Sequence, residues 1–168
     1  MRPQTGEFAP YYQRYIDKAP EGDVVQLLID QKQQMLDFLK SLPVEKWDYR
    51  YAEGKWSIKE VLLHLIDSER IFTYRALGVA RNDQTSFPGF DQDAYVPESN
   101  ADGRSVDSLL AEYAAVREAS IQLFANFNEE IYKRIGKANN TPISVRALAY
   151  ISAGHELHHL NIIKERYL

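Results

Sequence analysis

Apolar residues recur at helical spacing in four separate stretches of this sequence, and no stretch shows the strong two-residue alternation of a half-buried strand. Each stretch can bury its stripe only against another element, so the pattern favours helices packed on helices. The first stripe runs from about Asp23 through Val24, Leu27, Leu28, Met35, Leu36 and Leu39, and Pro43 ends it. The second opens at Ser57, which is spaced from Glu60 as a capping box. It continues through Val61, Leu65, Ile71, Phe72 and Leu77 with no glycine or proline before Gly78. The third follows Ser105, an amide-capping residue, and carries Leu109, Leu110, Tyr113, Val116, Leu123 and Phe124. The fourth begins near Ser144 and carries Leu148, Ile151, Ile162 and Ile163. The expected fold is all-α: a four-helix bundle with a long crossover between helices two and three that lets those two run parallel.

The connections have their own character. Residues 1–20 mix Phe8, Tyr11, Tyr12 and Tyr15 with prolines, which predicts an N-terminal arm holding a turn of helix at Tyr11 to Ile16 and packing on the body. Val44 to Lys55 reads as an ordered connection. Arg81 to Arg104 is punctuated by Asn82, Pro88, Gly89, Pro97, Asn100 and Gly103, with Phe87, Phe90 and Tyr95 as expected anchors. Long connections of this kind often cover binding sites. Asn126 to Asn140 reads as a break or short hairpin. With 168 residues, 45% of them apolar, the chain supplies one sizeable core, and residues 1–168 are expected to form a single domain.

A formal charge of -4 and a pI near 5.6, without a basic patch, argue against nucleic acid as a partner. No run of eighteen apolar residues and no apolar segment of signal-peptide form are present, so the expectation is a soluble cytoplasmic protein without a membrane partner. The chain lacks cysteine, which leaves imidazole and carboxylate as ligands for any transition metal.

Imidazole is concentrated in one place. Three of the four histidines fall in Gly154-His155-Glu156-Leu157-His158-His159. On a helix, His155 and His159 share a face about 6 Å apart along the axis, whereas His158 points aside from them. The fourth, His64, lies in the stripe of helix two, where a bundle can bring it opposite the pair. A lone histidine on an apolar face is more often a hydrogen-bonded core residue, and an i, i+4 pair also occurs on solvated surfaces. The three together point to one divalent ion held by His64, His155 and His159, with coordination positions left open. Zinc or nickel is the expected cofactor among the metals imidazole suits.

His155 to His159 also spells H-E-x-x-H, the zincin signature, in which the glutamate is the general base. The tail Leu160 to Leu168 offers no third histidine, and Ile162 and Glu165 stand where the longer metzincin pattern has glycine and histidine. Glu156 itself points about 100° away from the ligand before it, which suits a supporting contact or a solvated face better than catalysis. Ser68 and Asp67, one turn beyond His64, are within reach of orienting an imidazole or are ordinary bundle polar residues. Arg75 and Arg117 are candidates for an anionic substrate, weighed against the habit of arginine stems to snorkel at helix edges.

Lys55-Trp56-Ser57-Ile58-Lys59-Glu60 leading to His64, Phe87-Pro88-Gly89-Phe90 in the crossover, and the Gly154 to His159 segment agree in order and spacing with one family. On those residues the chain resembles the DinB/YfiT-like superfamily of metal-binding four-helix bundles over nearly its whole length. The resemblance implies a metal ligand from helix two and an H-x-x-x-H pair from helix four, which fall on His64, His155 and His159. Members of known activity include bacillithiol transferases and mycothiol-dependent maleylpyruvate isomerases. A metal-dependent S-transferase-like enzyme, taking a low-molecular-weight thiol as cosubstrate and pairing as a homodimer, is therefore what the resemblance implies. With no cysteine in the chain, the sulfur must arrive on that cosubstrate, entering beside the Phe87 to Tyr95 loop. The alternatives are a non-catalytic metal-binding or stress-related module, an H-E-x-x-H zinc hydrolase, and a bundle whose histidines are merely packed.

Overall fold

The computed structural model describes residues 2–168. The arm carries a 3-10 turn at Pro10–Tyr12 and the short helix α1 (Gln13–Ile16), and the four long helices are α2 (Val24–Lys40), α3 (Ile58–Ala80), α5 (Val106–Ala125) and α7 (Val145–Arg166). Each long helix starts where a side chain takes up free amides of the first turn. Asp23 accepts from Val25 and Gln26, Ser105 from Ser108 and Ser144 from Ala147, while Ser57 and Glu60 form the full capping box.

Helix directions follow from cross-links between them. Arg50 reaches both Glu60, in the first turn of α3, and Asp102, just ahead of α5, so these two helices start at the same end and run parallel. Contacts Gln31 to Ala153 and Phe38 to Lys164 make α2 and α7 parallel as well. The Tyr167 hydroxyl bonds the Trp56 carbonyl, which sets α7 antiparallel to α3. Going round the bundle, α2 packs on α5, α5 on α3, α3 on α7 and α7 on α2. The core divides into one cluster around Phe72, Phe124 and Leu148 and another around Leu62, Leu109 and Ile163. Among the described residues no helix is long and apolar enough to cross a membrane.

The crossover and the segment after α5 hold more structure than their composition predicts. The crossover contains β1 (Ser86–Phe87), the helix α4 (Gln92–Glu98) and a 3-10 turn at Ala101–Gly103; after α5 come α6 (Glu129–Tyr132), β2 (Ile135–Ala138) and β3 (Thr141–Ser144). β2 and β3 form an antiparallel hairpin closed by Asn139 and Asn140, with φ of 51° and 59°, as a two-residue turn with both central residues left-handed requires. β1 then adds in parallel to β2, with Phe87 opposite Ala138. The hairpin thus begins later than expected and takes in residues up to Ser144, and a small sheet accompanies the helices. Strands of two to four residues are too short to show an alternation.

Two expected core positions lie outside the core: Leu77 is 39% and Tyr95 49% exposed. Phe87 does anchor the crossover, because it presses on α3 at Gly78, where an added Cβ would lie 2.2 Å from its ring. The arm is fixed more tightly. Glu7 accepts hydrogen bonds from Ser144 Oγ and Arg146 Nε at 2.8 and 2.7 Å, and α1 crosses α7 at Gly154, where a Cβ would stand 1.8 Å from the Tyr15 carbonyl oxygen.

Candidate metal centre

α3 and α7 face each other across the core, and their stripes bring His64, His155 and His159 together. The three residues are 3%, 5% and 9% exposed. His155 Nε2 lies 3.1 Å from His64 Nε2 and 3.2 Å from His159 Nε2, and a ligand atom of each falls within 4.8 Å of the others. Hydrogen bonds alone do not satisfy this arrangement. A neutral imidazole nitrogen carries either one N–H or one lone pair, so the central Nε2 of His155 cannot make two linear bonds. A cation receiving three lone pairs can: nitrogens about 2.0–2.1 Å from a tetrahedral ion stand about 3.3 Å apart.

The surroundings keep the rings neutral, as ligation requires. Burial pulls His64 down to about 4, with a small push from His158. Burial and then the His64 and His158 charges bring His159 to about 2, and burial with its neighbours takes His155 well below the ordinary imidazole value. Trp56 covers His64 with ring centres 4.9 Å apart, while Tyr15 from the arm and Phe72 from α3 pack edge-on against His155 at 5.1 and 5.7 Å. Ser68, fully buried one turn along α3, places Oγ 3.5 Å from His64 Nδ1, the side of the ring away from the cluster. His158 is half-buried against Tyr15 and its nitrogens are not among those that converge. Asp67 faces Arg70.

Glu156 is neither solvated nor free. It is 2% exposed, accepts the Tyr113 hydroxyl at 2.7 Å and pairs with Arg117 at 2.8 Å. Arg117, weighed as an anion holder or a snorkelling side chain, is neither: it is 1% exposed, also grips Glu69 through Nε and a terminal nitrogen, and lies 3.5 Å from Gln31. Burial opposes its charge, but Glu156 and Glu69 hold it firmly cationic. Burial likewise raises the Glu156 carboxyl, against the downward pull of Arg117 and Tyr113. The glutamate of H-E-x-x-H is therefore held in the bundle core by Arg117 and Tyr113. Sequence reasoning missed Glu69, Gln31 and Tyr113 as partners, since the spacing of residues on one helix carries no information about what faces them.

The centre lies between two openings. A cavity of about 470 Å³ is lined by His155, Ser68, Phe72, Arg75, the arm tyrosines and loop residues Gly89 to Gln92. A smaller cleft of about 200 Å³ touches His159 together with Trp56, Lys55 and Asp93. Of the Phe87 to Tyr95 loop, Gly89 to Gln92 wall the larger opening and Asp93 the smaller.

The sequence model of the DinB superfamily matches residues 27–163. A protein of Oceanobacillus iheyensis named as a "putative metal-dependent hydrolase" is 29% identical over 130 residues, which is 75% of this chain and 73% of that protein. YfiT from Bacillus subtilis, described as "a probable metal-dependent hydrolase with an unusual four-helix bundle topology", superposes with a TM-score of 0.72 at 17% identity, covering 98% of this chain and 90% of YfiT. The DinB-like protein YjoA from Bacillus subtilis gives 0.60 at 16% identity, covering 85% and 87% of the two chains. The chain, matched over most of its length, belongs to the DinB superfamily.

Proposed function

We propose that this protein is a metal-dependent enzyme that activates a nucleophile at His64, His155 and His159 against a small molecule held in the adjoining cavity. The observation that carries the reading is the convergence of three neutral imidazole nitrogens at the wall of a cavity large enough for a ligand. A zinc or nickel ion bound there would stabilise a thiolate over its thiol, or lower the pKa of a bound water.

The locked state of Glu156 favours a thiol as nucleophile. A water-activating site of the zincin kind needs a free carboxylate base, and this one is held by Arg117 and Tyr113. A thiol ionises far more readily than water and needs no such base, which supports S-transfer from a low-molecular-weight thiol to an electrophile. Tyr15, Phe72 and Trp56 pack against the rings, and Ser68 stands beside His64 Nδ1 to orient it. The second reading is hydrolysis, favoured by the descriptions of the Oceanobacillus protein and YfiT.

Both readings are tested on natively purified protein, with the metal identified from its X-ray absorption edge. Metal-loaded protein is then assayed with low-molecular-weight thiols plus electrophiles, and separately with ester and amide substrates. Turnover that requires thiol and is lost in His155→Ala is expected. Turnover without thiol would establish the hydrolase instead, and a protein that retains no stoichiometric metal would overturn both.

A further inference from the structure

Among the described residues three arginines are almost wholly buried, and two of them are answered by carboxylates: Arg117 by Glu69 and Glu156, Arg146 by Glu7. Arg75 is the third. It is 3% exposed, and it takes part in none of the ion pairs found among the described residues. One terminal nitrogen donates to the Pro88 carbonyl at 2.5 Å and the guanidinium stands 6.0 Å from the Phe90 ring centre. A guanidinium has five N–H groups, and among the described residues no fully buried side-chain nitrogen lacks a partner, so the donors that Pro88 does not take keep some exposure, and Arg75 lines the cavity. Holding a buried cation without a counter-ion is costly unless something supplies the anion.

The other charges around that cavity do not supply it. Asp91 is the one acidic residue in its lining, and its exposed carboxylate is taken up by the amides of Asp93 and Ala94 at the start of α4. Arg14, stacked over Tyr11 and Tyr15, adds a second positive charge near the arm side. Apolar rings, Phe72, Phe90 and Tyr12, make up much of the remaining wall. His64, Ser68, Phe72 and Arg75 succeed one another along a single face of α3, and Ser68 and Arg75 are separated by seven residues, about 10 Å of helix. The cavity therefore has a cationic end at Arg75, an apolar middle and the imidazole cluster at its far end.

We infer that the ligand of this cavity is a small organic oxyanion with an apolar or aromatic body, its carboxylate or phosphate group bound by the Arg75 guanidinium and its reacting end directed at His155. This deepens the proposed function by naming its substrate class, and it rests on that reading for the direction of the reacting end. Arginine suits the role because its planar fork meets carboxylate and phosphate oxygens two at a time.

The test compares phenylacetate, phenyl phosphate and the neutral phenylacetamide by calorimetric titration into the metal-loaded full chain. At least one anion is expected to bind roughly ten- to a hundredfold more tightly than the amide, the range for hydrogen bonds to a charged group. Arg75→Gln should bring the anion down to the affinity of the amide, with metal content and the thermal midpoint showing that the fold is kept; Arg75→Lys should restore part of the preference. His155→Ala removes a metal ligand and should keep the preference, so an anion bound by the ion rather than by Arg75 is distinguished. Equal affinity for anion and amide, no anion binding, or a preference that survives Arg75→Gln overturns the inference. Failure of metal-dependent turnover with an Arg75-dependent preference intact would sink only the proposed function.

Discussion

Glu156 and Arg117 form an ion pair 2.8 Å long between α7 and α5, in the core of the bundle and one residue from a proposed metal ligand. Because Arg117 is shared with Glu69, the two carboxylates are unequal to the arginine in what their loss leaves behind. Glu156→Gln leaves Arg117 one partner and a neutral amide, whereas Arg117→Met strands two buried carboxylates. Urea unfolding should show a loss of about 1–3 kcal/mol for the first and about 3–5 kcal/mol for the second. Metal content should be unchanged in Glu156→Gln. A metal-replete Glu156→Gln protein that is as stable as the wild type but has lost all hydrolytic turnover would return the glutamate to the role of base.

His64→Ala, His155→Ala and His159→Ala should each remove the stoichiometric metal, because two imidazoles from one or two helices leave the ion too few protein ligands. Ser68→Ala keeps all three ligands and loses only the group beside His64 Nδ1, so metal affinity should fall by about tenfold. Elemental analysis and competition with a chelating dye measure both. His158→Ala should retain the metal, and loss of metal in that variant would mean the ligand set is drawn wrongly.

Acid should weaken the metal-free protein through its buried imidazoles. His64 and His159 are neutral in the fold down to about 4 and about 2, below the ordinary value of 6.5. Between 6.5 and those values the unfolded chain binds more protons than the folded one, so stability is fully present above about pH 6.5 and declines as pH falls. Thermal unfolding of chelator-treated protein should show a lower midpoint at pH 5 than at pH 7. Added zinc should raise the midpoint more at pH 7, where protons do not compete for the lone pairs. A midpoint indifferent to pH over this range would contradict neutral burial of the rings.

Gly154 is where the arm touches the helix that carries two of the histidines. Gly154→Ala would put a methyl group 1.8 Å from the Tyr15 carbonyl oxygen, and backbone must move to admit it. The expected result is a loss of about 3 kcal/mol, with residues 1–20 cleaved more readily by protease and a weakened metal affinity as Tyr15 withdraws from His155. An alanine variant with unaltered proteolysis would show that the arm is not held at this crossing.

Much of this protein is local and therefore readable in order along the chain. Asp23, Ser57, Ser105 and Ser144 mark the helix starts because a cap acts on amides two or three residues away, and Pro43 stops α2 through its own ring. The His155 and His159 pair is fixed by helix geometry alone. The hairpin had a legible signal, the Asn139-Asn140 pair suited to left-handed φ, which short strands and polar composition obscured.

Other features depend on what meets across the interior. His64 lies 91 residues from His155, and only the antiparallel packing of α3 on α7 puts their nitrogens in contact. The placing of α5 against its neighbours decided that Glu156 and Arg117 are partners, and the crossover at Pro88 and Phe90 buries Arg75 without a carboxylate. Sequence by itself determined the helices, their ends and the imidazole pair, since those depend on neighbours a turn away. Tertiary structure decided which buried charges are neutralised and which remain open to a ligand, because charge balance in a low-dielectric interior is a property of every element that surrounds the group.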